Sequence, residues 1–471
     1  MKDLKFEKMV LFFFLPIHLG RLKLDSASSQ QIADALIDSG VVEEADWPLS
    51  GKNTRNNLLK TLSDVQEEVF SRWYCKPQRF IRFYIGKVLL SSPAGKSLQF
   101  EIYFTLFYND IGCFLLIADL DTSHDVKEIM DFTCRFQGMP VEYRQIEDLT
   151  SFDFNILAEA VDDCRERIVE VLRSLNLIME NNSRLVRDFE DIRREIFPFY
   201  VLYSTNPKIK NVGEFCSEFL RELYGITYLD YTGWYNTRQE NMLKALGNDL
   251  SRREDYSLFI SKNGATEIES LERLQMIKNW AKGKKVSFEH ELLDVVLERA
   301  IIIEILLSQR CLLEYLNLIL ITGSESMTVR EEMLMHARMR RESVRMLNEY
   351  YNIEVVSKLH VSGVGWIESG KDSLGINRIY EALKERLESL QYSESEVTRE
   401  QQQRLNTLLV IISFFLSAAA SSGFVDLLSE IDFLSLHITN FSWQLKLGFV
   451  VLFISIPVLL YLRTYRKVWK D

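Results

Sequence analysis

Asn406, Ser413, Ser417 and Ser421 are separated by seven, four and four residues, which places them on one stripe of a helix while Phe414, Phe415 and Leu416 occupy its other faces. An amide and three hydroxyls on one side of an otherwise apolar helix can line water. The same groups can instead bond to carbonyls of their own helix, or lie with Ala418, Ala419 and Ala420 where a neighbouring helix packs closely. A water-lined path needs several copies, because one chain with two apolar segments cannot enclose it. Beyond the stripe, Asp426, Glu430 and Asp432 would concentrate cations at the mouth of such a path, or stand as ordinary solvated loop acids.

Other candidate chemistry is thinner. Gly365 to Asp372, GWIESGKD, matches most of a phosphate loop, but Asp372 stands where a hydroxyl must follow the lysine, and its charge would repel phosphates. Its glycines are expected in the turn that leads into the next long helix, with Trp366 as a packing anchor. His18, His124, His290, His336, His360 and His437 show no metal-ligand spacing. The six cysteines form no CxxC pair, as expected of reduced thiols rather than a disulfide framework or zinc site. With no hydrolase elbow or dinucleotide fingerprint, no enzymatic activity is expected. A formal charge of -11 excludes a broadly nucleic-acid-binding surface, so no direct nucleic-acid partner is expected.

The serine stripe needs a long helix beneath it. From Leu374 to Ser422 the pattern is helical: Ile376, Ile379, Leu383, Leu387, Leu390 and Val397 form a seam, and TREQQQR then leads without proline or glycine into the uncharged Leu405–Val425. Such a helix is about 75 Å long at 1.5 Å per residue. Half of it is wet and half apolar, so it is expected to pass from cytoplasm into a bilayer. A second uncharged run, Leu447–Leu462, reaches about 24 Å, with Lys446 and Arg463 able to snorkel. Basic residues flank the two runs on their outer ends and acids fill the connector, which predicts both termini on the cytoplasmic side of the cell's inner (plasma) membrane, as a multi-pass protein in contact with lipid.

Upstream, the run Met9–Ile17 follows lysines as a signal peptide's core would, but Asp3, Glu7 and the following Arg21 and Lys23 fit a buried strand better. Phe80–Leu90, Leu98–Tyr108 and Ile111–Leu120 read as strands, and SSQQIADALIDSG as a capped helix. Helical periodicity dominates from Phe154 onward, with a shorter mixed interval around FPFYVLYSTNPK and LYGITYLDYTGWY, and includes a long helix from Phe288 to Ile321 and another from Val329 to about Val355. The expected fold is an α+β membrane protein. It comprises a cytoplasmic α/β domain (1–150), a helical cytoplasmic region (151–372), a stalk helix (373–404), a transmembrane hairpin (405–425 and 447–462) around an outer connector (426–446), and a basic cytoplasmic tail (463–471).

This layout resembles the CorA superfamily of pentameric divalent-metal channels, with residue-level likeness confined to about Gln401–Lys470. In that family the first span ends in Gly-Met-Asn. Here Gly423-Phe424-Val425 keeps only the glycine, so the resemblance implies a pore lined by Asn406, Ser413, Ser417, Ser421 and Gly423 but not the familiar magnesium selectivity. It also implies a homopentamer gated by its cytoplasmic domain. CorA-like proteins without Gly-Met-Asn include members of type III CRISPR antiviral systems, which implies as an alternative a membrane effector triggered by a nucleotide messenger. A divalent cation or a nucleotide is therefore the expected ligand, with no cofactor assigned.

Overall fold

A computed structural model of the chain describes residues 4–19, 21–22, 29–41, 80–91, 97–107, 111–120, 123–130, 154–176, 178–179, 196–229, 236–246, 249–251, 253–322 and 361–420. The chain divides into two units, Met1–Leu318 with Arg345–Glu381, and Ile319–Val344 with Ala382–Asp471.

The first unit is built on strands β1 (Lys5–His18), β2 (Arg21–Leu22), β3 (Phe80–Ser91), β4 (Ser97–Phe107), β5 (Ile111–Leu120), β6 (His124–Asp125), β7 (Ile178–Met179), β8 (Phe197–Asn206), β9 (Tyr256–Ile260) and β10 (Ala265–Glu269). Between and after them run helices α1 (Ser29–Asp38), α2 (Phe154–Ser174), α3 (Val212–Glu218), α4 (Leu220–Tyr228), α5 (Gln239–Leu246), α6 (Leu271–Lys284), α7 (Phe288–Thr322) and α8 (Val361–Ser373). Eight strands form one mixed sheet in the order β3-β4-β5-β1-β8-β10-β9, with β6 also pairing β1. Among the described strands β8 and β10 pair in parallel and the other pairs are antiparallel.

The central strand explains the continuous apolar run near the N-terminus. Phe13 stacks on Phe100 at 5.8 Å on one face, and Phe12 stacks on Phe199 at 5.4 Å on the other. A strand buried on both faces has no polar alternation to show. Ile32 and Leu36 of α1 and Leu157, Val161, Ile168 and Leu172 of α2 join Phe13, Phe100 and Leu116 in the core of the first face. The opposite face, which carries Cys113 of β5 and Glu267 of β10, meets α7. This helix is buried from Ala300 to Leu313, as a helix apolar on every side must be. Its outer side is covered by α8, where a Cβ on Gly370 would come within 2.5 Å of Leu306.

Several expectations are corrected here. The α+β membrane fold with a mainly helical middle region is replaced by an α/β unit in which β8, β9 and β10, within residues 197–269, complete the sheet begun by β1. Among the described residues no helix is long and apolar enough to cross a membrane. That overturns the membrane fold, the assignment as a membrane protein and ion channel, and the multi-pass inner-membrane location; of the first span expected at 405–425, residues 421–425 lie outside the described residues. In helix α9 (Ile376–Ala420) a window of the roughly 20 residues a crossing needs, taken up to the last described residue, includes Gln401, Gln402, Gln403 and Arg404, and Arg399 and Glu400 stand just before it. The expected connector, the second span at 447–462, the basic tail and the helix at 329–355 lie outside the described residues.

GWIESGKD is likewise not a loop. It lies within α8, and the turn into α9 is made two residues later by Leu374 and Gly375, whose φ of +70° suits a residue without a side chain.

In the second unit α9 continues through Ala382 to Ala420. Leu383 and Leu387, one turn apart, are buried. Farther along, Leu405, Leu409, Val410 and Ile411 are 44%, 57%, 68% and 41% exposed.

Candidate functional site

β10 has the sequence ATEIE, and strand alternation puts Glu267 and Glu269 on the same face. Both are fully buried. Two helices supply the counter-charges. Arg299, in the middle of α7, donates from Nε (2.5 Å) and Nη2 to the two carboxylate oxygens of Glu267, a bidentate fork, and Nη2 also reaches Oε1 of Glu269 at 3.2 Å. Arg273 stands in the first turn of α6, which is started by Ser270 accepting from the Arg273 amide. Its Nε lies 3.8 Å from Glu269 Oε2 and its Nη1 3.8 Å from Asp255 Oδ2.

Aromatic rings close the cluster. The Tyr256 ring lies within cation–π range of both guanidinium groups, 5.1 Å from Arg299 and 5.6 Å from Arg273. Trp280 of α6 lies 5.1 Å from Arg273, and Trp366 of α8 lies 5.7 Å from Arg299. The Trp366 indole N–H donates to the Leu250 carbonyl at 3.0 Å, which fixes the ring from its far side. One buried constellation therefore touches β9, β10, α6, α7 and α8.

Its electrostatics are uneven. Burial, then the neighbouring Glu267, push the Glu269 carboxyl well above the ordinary glutamate range, and Arg299 and Arg273 only partly offset this. For Arg299 burial pulls downward, but Glu267 and Glu269 more than reverse it and hold the guanidinium above its usual value. Burial also raises the Tyr256 hydroxyl. Five side-chain atoms in this one place are buried without a hydrogen-bond partner: Glu269 Oε2, Arg273 Nε and Nη1, and both carboxylate oxygens of Asp255. Their ion-pair contacts at 3.2 to 3.8 Å leave hydrogen-bonding capacity unused.

A second buried pair joins α7 to the far edge of the sheet. Arg82 of β3 donates to Glu304 of α7, and both side chains are fully buried. Cys113 and Cys311 are buried and in no disulfide. Cys113 is held well above its usual range by burial first and by Glu304 second. Arg310, one turn and a half along α7, donates to the Lys262 carbonyl in the β9–β10 turn at 2.9 Å. Charged residues of α7 thus anchor it at several places on the sheet.

Of the residues singled out from sequence, Trp366 belongs to this constellation, and the described pore candidates stand on a different helix. Asn406 and Ser413 lie on α9 and are exposed, and Ser417 lies on the same helix. Ser421, Gly423, Asp426, Glu430 and Asp432 lie outside the described residues. Among the described residues no group of three or more His, Cys, Asp or Glu side chains could hold a metal ion; around Glu267 and Glu269, guanidinium groups occupy the coordinating positions. Trp366 is the anticipated packing anchor, 4% exposed.

Sequence reasoning missed Asp255, Glu267, Glu269, Arg273 and Arg299. A signal was available in DVVLERAIIIEILL, where Arg299 and Glu304 interrupt a helix apolar on every side. A charge in such a helix is buried, and a buried charge requires a partner. Comparison of the chain with protein-family models, with curated proteins and with solved structures gives no match.

Proposed function

We propose that this chain is a homo-oligomeric signalling effector in which the α/β unit is the sensing part and helix α9 is the part through which copies associate. The observation that carries this reading is α9 itself. It begins at Ile376, fully buried, directly after the Leu374-Gly375 turn that ends α8, and continues without interruption to Ala420. Leu405 and Leu409 share one stripe, while Val410 and Ile411 follow at successive steps of 100°. One partner helix covers one stripe only. Apolar exposure on successive faces is therefore satisfied by two neighbours per helix, as in a bundle of more than two copies.

From the CorA resemblance this reading keeps the association of identical subunits and the control of a long helix by an upstream domain. It does not keep the membrane hairpin. A nucleotide messenger is the trigger class that the resemblance brings, and enzymatic turnover has no part in the reading. The trigger would act by binding one arrangement of the α/β unit better than another.

The test is sedimentation of the full chain, as wild type and as Leu409→Glu/Val410→Glu, with and without added cyclic oligoadenylate or ATP as nucleotide probes. The wild type is expected to sediment as an assembly of more than two chains and the double variant as a 55.1 kDa monomer of unchanged helix content. A monomeric wild type in all conditions would overturn the proposal. An assembly unaffected by both nucleotides would retain α9 as the contact and remove nucleotide as the trigger.

A further inference from the structure

The cluster on β10 is unbalanced in charge. Three carboxyl groups, Asp255, Glu267 and Glu269, meet two buried guanidinium groups, Arg273 and Arg299. Arg253, the third cation nearby, contacts Asp255 at 3.2 Å but is half exposed and solvated. An isolated excess charge in a dry site costs several kcal/mol, so the site favours an extra proton over an extra negative charge. The geometry says which carboxyl takes it. Glu267 accepts the bidentate fork of Arg299, whereas Glu269 receives one bond from the same Nη2 at 3.2 Å and faces Arg273 across 3.8 Å without a bond.

We propose that this cluster is a proton-operated latch, in which a proton on Glu269 leaves Arg273 suspended between Glu269 and Asp255, and loss of that proton to solvent draws Arg273 onto Glu269 and moves α6 against β10. A charge-assisted bond closes at about 2.8 Å, so the 3.8 Å separation leaves about 1 Å of travel. The travel is transmitted because Arg273 sits in the first turn of α6 and Arg299, which shares Glu269, carries the Trp366 ring of α8. The groups that face Glu269 are Glu267 on its own strand, Arg273 on α6, Arg299 on α7 and Tyr256 on β9.

The sign follows from linkage. A carboxyl held above its unfolded value, near 4.5, binds more proton in the folded than in the unfolded chain as pH rises above that value. Folding is then progressively less favourable with rising pH until the folded group has also ionised. Glu269 thus contributes a loss of stability that begins near pH 4.5 and grows as pH rises until the folded carboxyl has ionised, with a limiting slope of about tenfold in the unfolding constant per pH unit. Neither α9 nor assembly enters this behaviour, so it stands or falls apart from the proposed function.

The experiment is urea unfolding of the full chain across pH 5 to 9, about the span over which this linkage acts, for wild type and Glu269→Gln. Infrared spectra of the wild type follow the protonated-carboxyl band. The expected result is a protonated-carboxyl band in the folded wild type that persists at pH 5 and above, beyond the ordinary glutamate value, and is lost as pH rises, with a falling stability profile that Glu269→Gln flattens by one proton's worth of slope. Should Glu269→Gln not fold, the wild-type infrared band decides alone. Absence of that band over the whole range, or parallel stability profiles for the two proteins, would overturn the latch.

Discussion

Arg299 is the side chain on which most of the α/β unit converges: a carboxylate pair on β10, a tyrosine on β9 and a tryptophan on α8 all meet its guanidinium. Removing it leaves two buried carboxyls with one cation between them. Arg299→Met is therefore expected to cost about 3–5 kcal/mol in urea unfolding. Adding Glu267→Gln should recover part of that loss, because the double variant no longer buries the charge that the single one strands. His18 works in the opposite pH direction from Glu269. Burial holds its imidazole down to about 3 while it stacks on Tyr315, with ring centres 3.3 Å apart. The unfolded chain takes up the proton near 6.5, so stability is complete above that pH and is lost as pH falls toward 3. His18→Phe keeps the stacked ring and should flatten the acid side of the stability profile. None of these residues carried a motif. What marked Arg299 and Glu304 was their setting in an apolar helix, a pattern that signals pairing but does not name the partner, since Glu267 and Arg82 are 32 and 222 residues away.

At the scale of elements, those whose burial is simplest were the most legible. The strand expected at Met9–Ile17 runs from Lys5 to His18, and the long helix expected from Leu374 to Ser422 is described from Ile376 to Ala420. The weakly legible elements are β9 and β10, five residues each, in which YSLFI and ATEIE place polar or charged residues at buried positions. Period-two alternation in ATEIE reads as a solvated face when the arginines that cover it are unknown. The GWIESGKD segment was misplaced for a related reason. Its glycines suggested a loop, but Gly370 is a helical residue kept small by Leu306 of α7, and the real turn depends on Gly375. Gly375 has open space around it, so Gly375→Ala tests the backbone alone. A loss of about 1 kcal/mol is expected, with Gly375→Asn costing less, by thermal or urea unfolding.

For the whole molecule, the sequence made the long helix visible but not its surroundings. An apolar helix end looks the same whether lipid or other helices cover it, and the hydropathy of Leu405 onward favoured lipid in the sequence reading. Among the described residues, no helix meets the length and polarity that a crossing requires. In the proposed reading the exposed Leu405, Leu409, Val410 and Ile411 are the surface on which identical chains would meet. The latch on β10 and the turn at Gly375 lie in the same unit as the first residues of α9, which is where a signal in the α/β unit would enter the helix.

The most direct measurement of that claim is photo-crosslinking of the full chain with a photoreactive residue at Leu409 on α9, compared with the same residue at Leu243, an exposed leucine on α5. Covalent dimers and higher multimers from position 409, with only monomer from position 243, is the predicted result. Equal yields from both positions, or no multimer from position 409, would contradict it.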